Sequence, residues 1–136
     1  MPIIPLEVCI RIMKGSGLTF NVEIKGYDRD TAGVVIDLFA KHEMLDRLYF
    51  SSFVYYHKLE MRKACEQRGI DYLNFGYLAV DSATVYQDWV REFHRTGDMI
   101  ILPNYFYSGL PEMFDELKEQ LKDIDIQWGC YYDFKF

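Results

Sequence analysis

The feature that most limits the fold is a recurring pair, a short β-branched and aromatic run followed by an amphipathic stretch, repeated about every 26 residues. Five such runs predict strands: Leu18 to Lys25, Leu48 to Phe53, Tyr72 to Leu78, Met99 to Pro103 and Ile124 to Tyr131. Between them, apolar residues recur at helical spacing: Val35, Leu38, Phe39 and His42, then Met61, Ala64, Cys65 and Arg68. Val85, Trp89, Val90 and Phe93 mark a third helix, and Phe114, Leu117 and Leu121 a fourth. Leu6, Cys9, Ile10 and Met13 predict a leading helix before the first strand. Asp30 or Thr31 and Asp81 or Ser82 suit helix starts, and Pro111 suits a first helical position. Gly15, Gly69 and Gly97 fall where helices should stop.

Strand and helix in alternation make the βα unit of a parallel sheet, and eight units at this spacing would close a barrel of about 200 to 250 residues. Five units leave two α/β architectures, a doubly wound five-stranded sheet or a partial TIM-type (β/α) barrel. The helix ahead of the first strand favours the partial barrel. With 136 residues, half of them hydrophobic, and no linker or low-complexity tract, the chain reads as a single domain over residues 1–136. Fifteen basic residues against 21 acidic ones, interspersed, give a net charge of −6 and speak against nucleic acid as a partner. No apolar run reaches the length of a membrane span, and residues 1–15 lack the layout of a secretion signal, so the expected location is cytoplasmic. Cys9, Cys65 and Cys130 are widely spaced and are expected as buried thiols.

The segment richest in chemistry is Phe20 to Gly26. Residues two apart on a strand share a face, so Val22 and Ile24 point one way while Glu23 and Lys25 point the other. Two opposite charges on a strand covered on both sides would need a function: a divalent metal on Glu23 and a phosphate near Lys25. On an edge strand they would be an ordinary solvated pair. His42 and His94 fall at helix ends among charges and read as solvated or capping residues, and His57 reads as the opening of a helix. Ser52 reads as a hydroxyl bonded to backbone. Tyr55, Tyr56, Tyr105, Tyr107, Tyr131 and Tyr132 read as core or interface. Gly15-Ser16-Gly17 precedes a strand and is a turn, not a phosphate loop.

Asn21-Val22-Glu23-Ile24-Lys25 resembles the N-x-E-x-K strand of the glycerophosphodiester phosphodiesterases. Three later segments match in the same order: Ser51-Ser52-Phe53 resembles a Ser-Phe strand end, Gly76-Tyr77-Leu78 a Gly-Tyr-Leu strand, and Pro103-Asn104-Tyr105 a P-x-Y turn. Ile126-Gln127-Trp128 then stands where a tryptophan-bearing strand is expected. The resemblance implies about five βα units of a phospholipase-C-like phosphodiesterase barrel. Its reaction is the hydrolysis of glycerophosphodiesters to glycerol 3-phosphate and an alcohol, with calcium or magnesium. Glu23 would correspond to a carboxylate metal ligand and Lys25 to a phosphate-facing lysine, with Phe53 and Trp128 lining the pocket.

The departures bear on activity. The family's His-Arg strand, E-x-D strand and His-Asp segment, which supply the catalytic histidines and the other acidic ligands, have no counterpart before Leu18. After Trp128 comes Gly129-Cys130-Tyr131-Tyr132 instead of T-V-N, and no T-D-x-P segment follows. The expectation is therefore the later part of a barrel enzyme, inactive alone, with no catalytic residue assigned and the metal not retained. The alternative is a non-catalytic α/β interaction domain that self-associates through open sheet edges.

Overall fold

The structure, a computed structural model, describes residues 2–27, 30–103 and 111–131. Each of the first four strands is followed by helix, in the order α1 (Leu6–Met13), β1 (Phe20–Glu23), α2 (Thr31–Lys41), β2 (Leu48–Ser52), α3 (His57–Gln67), β3 (Phe75–Leu78), α4 (Gln87–Phe93), β4 (Met99–Pro103), α5 (Pro111–Gln120) and β5 (Gln127–Tyr131). The strands form one parallel sheet in the order β1-β2-β3-β4-β5. A doubly wound sheet reverses its strand order at a switch point, and this order contains no reversal. The chain divides into two compact units, Met1–Phe50 with Tyr56–Leu73, and Ser51–Tyr55 with Asn74–Phe136.

In the first unit, α2 buries Ala32, Val35, Ile36 and Phe39. Phe39 meets Phe20 of β1 edge to face, with ring centres 5.1 Å apart. Helix α3 buries Met61, Ala64 and Cys65. Arg68, which continues that apolar spacing, instead turns its guanidinium to Asp37 of α2, with Nε donating at 2.7 Å and Nη2 at 2.9 Å. This two-point fit is the geometry that makes arginine, rather than lysine, the natural partner of a carboxylate. Arg47 clamps the end of α1 by donating from Nη1 to the Lys14 carbonyl and from Nε to that of Leu18, both at 2.7 Å. Gly17, not Gly15, takes the left-handed conformation (φ 74°), because a short 3₁₀ turn over Lys14–Ser16 carries the helix two residues further. Gly69 is left-handed just past α3 as expected, whereas Gly97 is left-handed in the turn before β4, α4 having already ended at Phe93.

In the second unit, β3 pairs with β4 in the register Gly76↔Met99, and β4 with β5 in the register Met99↔Gln127. Asp98, fully buried, holds the amino ends of these strands. Its Oδ1 accepts from the Phe75 amide at 2.9 Å, its Oδ2 from the Arg95 amide at 2.8 Å, and its carbonyl from the Gln127 amide at 2.9 Å. These bonds explain why β3 starts at Phe75 and β5 at Gln127, later than the β-rich runs beginning at Tyr72 and Ile124. Helix α4 also starts later than its apolar spacing implies. Asp81 and Thr84 form a reciprocal capping box on a 3₁₀ turn over Ser82–Thr84, which leaves Val85 outside the helix. Pro111 opens α5 as expected. Of the cysteines, Cys65 is buried, Cys9 half-buried and Cys130 exposed on the end strand β5. No helix among the described residues is long and apolar enough to cross a membrane.

Two stability predictions follow from these anchors. Asp98→Ala removes the side-chain acceptors of two backbone amides and should destabilise the protein by about 3 kcal/mol in urea unfolding. Asp98→Asn keeps one acceptor oxygen and should fall between it and the parent, and Asp46→Ala, at an exposed position, should leave the midpoint in place. Hydrogen bonds from Arg68 hold the Asp37 carboxyl below its ordinary range, and those from Lys41 and His42 do the same for Glu7. A carboxyl lowered in the folded state stabilises above its unfolded value, near pH 4, and that stability is lost as the pH falls through the folded value. The urea midpoint should therefore drop between pH 6 and pH 3, and Arg68→Ala should flatten that dependence.

Candidate functional site

Strand β1 carries the charged pair because its alternation splits it cleanly. Ile24 is buried and Phe20 and Val22 are half-buried, whereas Asn21, Glu23 and Lys25 are exposed. Glu23 closes the strand and Lys25 lies just past it, so both stand at its carboxyl end. The Lys25 ammonium is 3.5 Å from Glu23 Oε2, with the lysine side chain 77% exposed and the glutamate 31% exposed. β1 is an end strand of the sheet, so water screens this pair and its attraction stabilises the fold by less than about 1 kcal/mol.

Calcium and magnesium take six or more oxygen ligands, and calcium draws several of them from carboxylates. Glu23 offers one carboxylate, already facing an ammonium, and no group of three or more His, Cys, Asp or Glu among the described residues could hold a metal ion. The donor set present around Glu23 does not fit either cation.

Phe53 follows β2 directly and is 43% exposed. Its ring meets Tyr131, the last residue of β5, edge to face at 6.2 Å. The Tyr131 hydroxyl donates to the Ala79 carbonyl at 3.4 Å, which orients the ring beyond the end of β3. Trp128 lies elsewhere: it meets Phe114 of α5 at 5.4 Å, with the two ring planes at 89°. Trp128 and Tyr131 are three positions apart on one strand, so they point to opposite faces. The aromatic neighbour of Phe53 is thus Tyr131, and the odd offset from Trp128 is the sequence signal that could have found it.

The remaining polar candidates have structural partners. His94 Nδ1 lies 3.1 Å from the Val90 carbonyl and 3.2 Å from that of Arg91, which requires a proton on that nitrogen and makes it a cap on the end of α4. His42 Nε2 is 3.0 Å from Glu7 Oε1 at the end of α2. His57 is the first residue of α3 and fully buried, with Nε2 3.9 Å from Glu60 Oε2 and its ring 6.1 Å from that of Tyr27. Ser52 is buried, and its hydroxyl accepts from the Val54 amide at 3.0 Å. Tyr55 packs against Tyr77 and Tyr86, and burial pushes its phenol far above the ordinary value, so it stays protonated at neutral pH. Tyr56 is exposed. Asn104, Tyr105, Tyr107 and Tyr132 lie outside the described residues.

A groove of about 480 Å³ in the first unit is lined by Asp30 and by Tyr56, Glu60, Lys63 and Gln67 of the α3 region. Glu23 and Lys25 are not among its walls. Comparison with family models, with curated proteins and with solved structures finds no match for this chain.

Gly76 of the Gly-Tyr-Leu segment has a packing reason of its own. A Cβ there would sit 2.5 Å from Ile101 Cδ1 and 3.2 Å from Ser51 Cβ. Gly76→Ala should destabilise by about 1 to 3 kcal/mol, since the buried Ile101 must shift or leave its rotamer. Adding Ile101→Val, which removes that methyl, should recover part of the loss in urea unfolding. A double variant no more stable than Gly76→Ala would place the cause elsewhere.

Proposed function

We propose that this chain is the later part of a glycerophosphodiester phosphodiesterase-like (β/α) barrel, located in the cytoplasm, which does not turn over glycerophosphodiesters by itself. The observation that carries the reading is the unreversed strand order with a helix after each of the first four strands, the order in which such barrels lay down their sheet. Chemistry in these barrels gathers at the carboxyl ends of the strands, where Glu23, Lys25 and Phe53 stand on their own strands. Lys25, largely in water, offsets the charge of a phosphate, while Glu23, one carboxylate already facing that ammonium, holds neither calcium nor magnesium by itself. Proton transfer to the leaving alcohol and from water calls for a positioned acid and base, and the family's two histidine-bearing segments have no counterpart among the 136 residues.

Purified protein should therefore show no hydrolysis of glycerophosphocholine above background with calcium or magnesium. Metal-dependent turnover lost in Glu23→Ala would overturn the inactivity. Titration with glycerol 3-phosphate, followed by amide NMR, should shift Lys25 with a midpoint at or above about 1 mM, the weak binding of a lone ammonium screened by water. Shifts that survive Lys25→Ala, or that fall elsewhere, would sink the phosphodiesterase reading.

A second reading, a non-catalytic domain that self-associates, is favoured by β1 and β5, each of which has a strand neighbour on one side only among the described residues. Light scattering at micromolar concentration should show a dimer or larger species. A sharply melting monomer that binds little hydrophobic dye would reject it.

A further inference from the structure

We draw no further inference here: the strongest candidate, the apolar patch of exposed isoleucines Ile3, Ile4 and Ile12 on and before α1, carries nothing because nothing in the structure shows what covers it.

Discussion

A carboxylate shut away from water, Asp98, sets the strand ends of the second unit. Such a group is tolerated only when its oxygens are hydrogen-bonded, and Asp98 takes backbone amides from Phe75 and Arg95 while its own carbonyl takes that of Gln127. Three segments far apart in sequence thereby meet at one residue, just before β4. The register follows, with Gly76, Met99 and Gln127 side by side. Ile101 then falls between two glycines: a Cβ on Gly76 would meet its Cδ1, and one on Gly129 would lie 3.4 Å from its Cγ1. One branched side chain fills the space that three strands share, which is why a motif glycine and a core isoleucine have to be read together.

The first unit relies on arginines rather than on a buried acid. Arg68 binds Asp37 with two nitrogens, and Arg47 takes the carbonyls at the end of α1, where helix geometry leaves acceptors unsatisfied. Glu7 ties the other end of that helix to Lys41 and His42. These contacts are partly exposed, so their stabilisation is modest and depends on pH and salt. The apolar face of α2 carries the greater share, through Phe39 and Ile36, which have no exposed surface.

The order of elements was legible in the sequence because apolar period is a local property. The stripe Val35, Leu38 and Phe39 needs only its own residues to declare a helix, and Met99 to Pro103 reads as a strand at its observed bounds. Strand starts were not legible in the same way. Tyr72 and Ile124 have strand propensity, but the ladder begins where Asp98 accepts the Phe75 and Gln127 amides, and that residue lies 23 positions from Phe75. Arg68 shows the same limit in a helix: spacing put it on the apolar stripe, and a carboxylate on the neighbouring helix drew it off.

Site geometry divides along the same line. Alternation along β1 and just past it placed Glu23 and Lys25 on one side, where they face each other, because that relation lies inside three consecutive residues. Whether such a pair binds a ligand depends on what other strands bring beside it, and no periodicity in β1 carries that information. Phe53 makes the point with an apolar residue. The tryptophan expected as its companion sits on the helix-facing side of β5, whereas Tyr131, an odd number of positions further on, turns to the opposite side and meets it. The family resemblance pointed to the tryptophan, but strand parity decides which ring can reach, and parity can be counted only once the strand's bounds are known.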